Sequence, residues 1–198
     1  FEDRFSAEMI RTQRMNHPFS LLLLDIDRFK KYNDHYGHQY GDYVLKEIAG
    51  CIQNAIREYD IPARYGGEEF AVILPNSSQK DAIAIAERLR KKIESYPFRS
   101  PDGKKTVSIT VSVGVASYPK NAKIKSELLE KVDQALYLAK SEGRNRVCRS
   151  LHVSEELVRE ARDVLERGRI QEGISGLTQH GHLVVYAVVT LDQEGKTP

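Results

Sequence analysis

Residues 61–75 read IPARYGGEEFAVILP, two extended runs joined at Gly66 and Gly67. The flanking runs carry the apolar and β-branched residues of strands. A glycine pair between such runs supplies the positive backbone angles that a tight hairpin turn requires. On this reading Glu68 and Glu69 sit at the tip of a β-hairpin. Upstream, residues 19–27 read FSLLLLDID, a short continuous apolar run that ends in Asp25 and Asp27. A run of that length is a strand buried on both faces. Its C-terminal edge, where the carboxylates fall, is the edge at which α/β sheets gather ligands.

Further outward, Phe1, Phe5, Met9 and Ile10 recur at helical spacing, which predicts a lead-in helix to about Met15, ended by Pro18. Between Arg28 and about Ile56 the pattern predicts a short helix through Tyr36. A longer one follows the punctuation of Gly37 and Gly41, with Val44, Leu45, Ile48 and Ile52 inward. An amphipathic helix is expected over 81–93 with Ser78 as its cap, then a turn at Pro101-Asp102-Gly103. KTVSITVSVGVASY (105–118) alternates as one strand, 126–141 forms another helix stopping before Gly143, and NRVCRS (145–150) makes a last short strand. The order is that of an α/β (α+β) fold with a mixed central sheet flanked by helices. After Arg149 the character shifts. Residues 153–170 read as a charged amphipathic helix, 171–182 as a glycine-rich connection and 183–191 as a strand, so 1–149 is expected to be one domain and 150–198 an extension.

A chain of 198 residues, 40% hydrophobic and 29% charged, has the makeup of a folded globular protein rather than a disordered one. Its 30 basic and 28 acidic side chains nearly balance, which leaves no broad footprint for nucleic acid or lipid. Any phosphate site is therefore local. Cys51 and Cys148 lie far apart, without metal-ligand spacing or the density of a disulfide scaffold, and read as free thiols of a cytoplasmic protein. The apolar stretch 21–24 is too short to span a membrane. Because the first residue is Phe1 rather than Met, an upstream sensor segment is expected, which in a full-length protein can include a membrane anchor.

Asp25 at a strand end and Glu68 at a hairpin tip are hard oxygen ligands on elements able to converge at one sheet edge. Magnesium takes one or two carboxylates and completes its shell with substrate phosphates. DIDRFKKYNDHYGHQYGD (25–42), RYGGEEF (64–70) and SEGRNRV (141–147) together resemble the GGDEF family of diguanylate cyclases, in a GGEEF variant. The resemblance covers roughly residues 1–149; the family's usual Asp-x-Leu-Thr-type segment would fall just upstream of Phe1.

The resemblance implies a nucleotidyl-cyclase or polymerase-palm-like fold and the condensation of two GTP into cyclic di-GMP with release of pyrophosphate. It implies Mg2+, with Mn2+ as an alternative, held by Asp25, Ile26 and Glu68, while Asp27 either supports the metal or caps the following helix. Glu69 is the candidate for assisting deprotonation. Lys30, Lys140 and Arg144 are assigned to the triphosphate, and Gly66 and Gly67 to close approach of the backbone to the nucleotide. Asn33 and Asp42 are the guanine readers, since a carboxylate accepts the donors of guanine's Watson–Crick edge. Arg57 and Asp60, with Arg88 completing the set, match the family's inhibitory product site. His35 and His38 receive no chemical role. Two equivalent phosphodiester links imply a two-fold homodimer in which each chain presents one GTP. The alternative is a non-catalytic module that binds GTP or cyclic di-GMP and signals through a partner.

Overall fold

The computed structural model describes residues 1–150; the helix and strand expected beyond Ser150 lie outside the described residues. In chain order the elements are α1 (Glu2–Met15), β1 (Phe19–Ile26), α2 (Phe29–Tyr36), α3 (His38–Gln53), β2 (Ile61–Arg64) and β3 (Glu69–Leu74). They continue with α4 (Gln79–Glu94), β4 (Phe98–Arg99), β5 (Thr106–Val107), β6 (Val111–Tyr118), α5 (Lys125–Ser141) and β7 (Val147–Arg149). Five strands form one sheet in the order β2-β3-β1-β6-β7, antiparallel except for the parallel pair β6 and β7. The expected mixed sheet flanked by helices, with the glutamates on a hairpin, is the fold observed. No helix among the described residues is long and apolar enough to cross a membrane.

The central strand explains the layering. All eight residues of β1 are buried, and because side chains alternate along a strand they divide between two cores. Leu22, Leu24 and Ile26 join Val44, Ile48, Ala86 and Leu89 from α3 and α4. Leu21 and Leu23 join Phe5 and Met9 of α1 with Leu128, Val132 and Leu136 of α5. Each such leucine contributes about 1.5–3 kcal/mol by leaving water. The same alternation puts Asp25, two residues past Leu23, on the α5 side of the sheet.

Helix ends follow their local chemistry. Asn16 closes α1 in the left-handed conformation (φ 51°), two residues before Pro18, its N–H bonded to the Thr12 carbonyl. Ser78 caps α4 through a reciprocal pair with Asp81, as expected. The Pro101-Asp102-Gly103 turn also forms, with Gly103 at φ 69°.

Two expectations are corrected. Gly41 lies inside α3 rather than before it; α3 starts after Gly37, whose φ of 84° favours glycine. Residues 105–118 are not one strand. β5 pairs with β4 in a separate two-stranded sheet, and only β6 joins the main sheet. The break falls where Thr110 turns to Asp27, accepting the Asp27 N–H at 2.9 Å and donating its hydroxyl to the Asp27 carboxylate at 2.6 Å.

Gly114 on β6 is where α5 comes closest to the sheet. A Cβ there would lie 2.3 Å from the Val132 carbonyl oxygen and 2.5 Å from the Leu136 nitrogen, both main-chain atoms that cannot rotate away. Gly114→Ala is therefore expected to destabilise the fold by about 1–3 kcal/mol. Gly50→Ala, in a helix with nothing within 4 Å of the new methyl, is expected to stabilise it by about 0.5–1 kcal/mol. Urea denaturation of the two variants beside the wild type checks both signs.

Candidate functional site

Asp25 is the last carboxylate-bearing position of β1, paired across the ladder with Glu69 of β3. One step further on, the Ile26 N–H donates to the Glu68 carbonyl at 3.3 Å, so register alone brings the hairpin tip to the end of β1. Asp25 is nearly buried, and Lys140 from the last turn of α5 places its Nζ 2.7 Å from Asp25 Oδ2. Burial pushes the Asp25 carboxyl up, the Lys140 ammonium draws it partly back, and Arg144 pulls the same way. The Glu68 carboxyl is pushed up first by burial and then by the charge of Asp25, with Lys140 opposing. Lys140 thus lies against buried Asp25, and half-buried Glu68 feels the charge of both, which makes this a place that favours positive charge. Ile26 has only its main-chain carbonyl to offer such a charge. A cation there would meet oxygen atoms alone, the donors that a hard divalent ion takes.

The turn itself is built differently from the expectation. Neither Gly66 nor Gly67 has a left-handed φ. Instead, the Tyr65 and Gly66 N–H groups both reach the Glu69 carbonyl, at 2.8 and 3.2 Å. The Arg64 guanidinium clasps the Gly67 carbonyl at 2.7 Å and the Gly66 carbonyl at 3.3 Å. A Cβ at Gly66 would stand 2.7 Å from Glu69 Oε2, the movable end of a side chain that folds back over the turn. Gly67 has open space around it.

Asn33 lies within α2 and Asp42 within α3, so neither is the turn or cap residue that these types often are. Asn33 Oδ1 is buried without a hydrogen-bond partner. It also explains Gly41, where a Cβ would lie 1.9 Å from that oxygen. Exposed Asp42 borders a groove of about 390 Å³ between α3 and the β2–β3 hairpin, also lined by Leu45, Lys46, Pro62, Arg64 and Phe70. A larger depression of about 690 Å³ beside β4 and β5, with Arg99, Lys104 and Lys105 in its walls, is lined by none of the candidate site residues. Lys30 is exposed on α2 and forms no ion pair among the described residues. His35 packs its ring edge-on against Tyr36 at 4.3 Å.

Asp27 caps nothing: the residue before α2 is Arg28, and no side chain caps that helix. Its buried carboxylate is taken up by the Thr110 and Ser112 hydroxyls and the Asn145 N–H.

Arg57 and Asp60 form a turn rather than an ion pair of side chains. The Arg57 main-chain N–H donates to Asp60 Oδ2 at 2.8 Å, while the exposed guanidinium bonds the Tyr59 hydroxyl at 2.9 Å. Asp60 is buried with Oδ1 unpartnered. Burial pushes its carboxyl up against the lowering effects of the Arg57 N–H and the Arg57 and Arg88 charges. Arg88 donates to the Ala55 carbonyl at 2.6 Å.

Residues 1–146 match the family described as diguanylate cyclase, GGDEF domain. The chain belongs to the GGDEF family. Diguanylate cyclase A of Treponema denticola is 48% identical over 128 residues, 65% of this chain and 34% of that protein. The active GGEEF domain of a diguanylate cyclase from Vibrio cholerae superposes with a TM-score of 0.71 at 34% identity, covering 76% of this chain and 94% of that one. The GGDEF domain of DgcB from Caulobacter crescentus, in complex with c-di-GMP, gives 0.70 at 34% identity, covering 76% and 88%. The chain spans about a third of the length of the curated relatives it matches.

Sequence reading of this GGDEF domain missed Arg64, Asn145 and the partners of Asp27. Arg64 had a signal, a cation two residues before a glycine pair. Asn145 had none, since its partners Arg90 and Glu94 lie on a distant helix.

The raised Asp60 carboxyl has a testable sign. An acid harder to ionise in the fold than its ordinary 3.8 costs stability at pH values above its folded-state pKa, and the cost disappears as pH falls below the unfolded value. Asp60→Asn keeps an acceptor for the Arg57 N–H and carries no charge. It is expected to be at least as stable as wild type at pH 7, with that advantage shrinking towards pH 4, as read by urea midpoints at the two pH values.

Proposed function

We propose that the chain is the catalytic part of a diguanylate cyclase, condensing two GTP into cyclic di-GMP. The observation that carries this reading is the strand register that sets Glu68 against Ile26, one residue past the Asp25 carboxylate that Lys140 holds at 2.7 Å. The resemblance to relatives named for that activity, one of them an active GGEEF domain, supports it.

Asp25, Glu68 and the Ile26 carbonyl would hold Mg2+. Among the described residues no three His, Cys, Asp or Glu side chains are arranged to hold an ion by themselves, which suits an ion that keeps water and phosphate ligands. When bound, the ion lowers the pKa of the attacking hydroxyl and offsets charge on the phosphates. In each of two steps a 3′-oxygen bonds the α-phosphorus of the other GTP, the bond to the bridging oxygen breaks, and pyrophosphate leaves as the hydroxyl gives up its proton. Glu69, folded over the turn, accepts that proton. Lys140 holds Asp25 Oδ2 and, on yielding that oxygen, turns its ammonium to the triphosphate together with Lys30 and Arg144. Asn33, with its unpaired buried oxygen, and Asp42 at the groove read the guanine edge. One chain holds one GTP, so two chains must face each other across a two-fold axis.

Arg57, with a guanidinium not tied to Asp60, and Arg88 would bind accumulated product through the guanine O6 and N7 edge. The c-di-GMP complex of DgcB is in keeping with a product-binding GGDEF domain.

The test is incubation with GTP and Mg2+, following cyclic di-GMP and pyrophosphate. Wild type is expected to form both, to prefer GTP to ATP, and to lose specific activity per chain on dilution below the dimerisation range. Glu68→Ala should lower turnover by about 100-fold or more. Gly41→Ala, whose methyl displaces the Asn33 amide, should raise the KM for GTP about tenfold, and Arg57→Ala should abolish the slowing as product accumulates. A chain that binds GTP and makes no product under any of these conditions contradicts the reading.

A further inference from the structure

The loop after α5 carries strained backbone near the site. Arg144 and Asn145 both adopt left-handed conformations, φ 67° and 47°, on consecutive residues that are not glycine. L-residues resist that geometry, so something must hold it. The Arg144 N–H is used by the Ala139 carbonyl at 3.0 Å. The Asn145 side chain is held from α4, where Arg90 donates to its Oδ1 at 2.7 Å and Glu94 Oε1 accepts from its Nδ2 at 2.6 Å. The remaining donor, the Asn145 main-chain N–H, goes to Asp27 Oδ2 at 3.0 Å.

Asp27 is 5% exposed, and each of its oxygens is engaged. Thr110 Oγ1 shares Oδ2 at 2.6 Å and Ser112 Oγ donates to Oδ1 at 2.6 Å. Both hydroxyls come from the segment entering β6, so the carboxylate is aimed by one side of the site at a loop on the other. Three of its roughly four acceptor positions are filled by neutral donors of the chain itself. A carboxylate meeting a main-chain N–H makes a strong, directional bond, and this one spans 118 residues of sequence. Arg144, the residue that the bond places, sends its charge back to the first carboxylate, lowering the Asp25 pKa.

We infer that Asp27 is a positioning residue, whose carboxylate sets the Arg144–Asn145 turn and so aims the Arg144 guanidinium at the triphosphate, rather than a ligand of the metal. The assignment rests on the proposed role of Arg144 in binding GTP. Because Asp27 acts through Arg144, removing it costs nothing further once the guanidinium is gone. Asparagine can stand in, with its amide oxygen toward Asn145 and Thr110 and its NH2 toward the Ser112 hydroxyl, which then accepts.

The experiment is a double-mutant cycle on the full chain, reading the affinity for guanosine 5′-[α,β-methylene]triphosphate with Mg2+ by calorimetry, beside hydrogen exchange of the Asn145 amide without nucleotide. Asp27→Ala is expected to weaken analogue binding about tenfold and to speed Asn145 exchange. In the Arg144→Ala background it should weaken binding by no more than about twofold. Asp27→Asn should stay within about twofold of wild type in both readouts. Should Asp27→Ala not fold, the near-isosteric Thr110→Val removes one of the aiming hydroxyls and is expected to lose about threefold, again only when Arg144 is present. Full additivity of the two losses, or Asp27→Asn as damaging as Asp27→Ala, overturns the inference in favour of direct ligation or general destabilisation. If wild type fails to bind the analogue, the proposed function falls. Exchange at Asn145 unchanged by Asp27→Ala then overturns the positioning role as well, and faster exchange upholds it for the turn.

Discussion

The antiparallel register that brings Asp25 of β1 and the Glu68–Glu69 turn to one sheet edge is the constraint around which the rest of this domain is arranged. Neither Asp25 nor Glu68 is comfortable as an anion there, since burial pushes both upward and Asp25 adds to the pressure on Glu68. The sheet makes the meeting unavoidable, because β1 and β3 are locked in antiparallel register with Asp25 opposite Glu69. A slip of one residue would turn every β1 side chain to the wrong core, and both cores are closely packed. Hydrophobic packing along Leu21 to Leu24 therefore fixes the geometry of a polar corner at the strand's end. The charge left over is met by Lys140 from α5, the helix that Gly114 lets come down onto the sheet.

The regions around that corner are tied to it by polar bonds rather than by packing alone. Arg64 clasps the carbonyls of the hairpin turn. Asp27 joins the entry to β6 to the loop after α5, and Asn145 joins that loop to α4. Two residues before Arg90 on the same helix stands Arg88, beside Asp60 and Arg57. The loop after α5 and the expected product site are thus both fastened to α4.

Much of this was legible in the amino-acid order because the signals are local. The continuous apolar run of 19–24, the helix periods, the Ser78 cap and the glutamates flanked by strand residues each follow from a few neighbours. The placement of Asp25 and Glu68 at one sheet edge also followed, since strand ends and hairpin tips leave few alternatives. What was misread depends on distant partners. Gly41 looked like backbone punctuation, yet it makes room for the Asn33 side chain of the preceding helix. Alternation over 105–118 could not reveal that its first residues would pair with β4 and only the later ones with β1. Asp27, read as supporting the metal or capping the next helix, caps nothing, and its three donors come from Thr110, Ser112 and Asn145, far along the chain.

The most direct test of the shared-cation corner is the Mn2+ affinity of the chain, read by electron paramagnetic resonance with a non-hydrolysable GTP analogue present, for wild type, Asp25→Asn, Glu68→Gln and the double variant. If the two acids act on one ion, each single change lowers affinity about tenfold or more and the double change falls well short of the product of the two losses. Affinity left intact by either single change, or losses that simply multiply, would mean that the carboxylates do not share an ion.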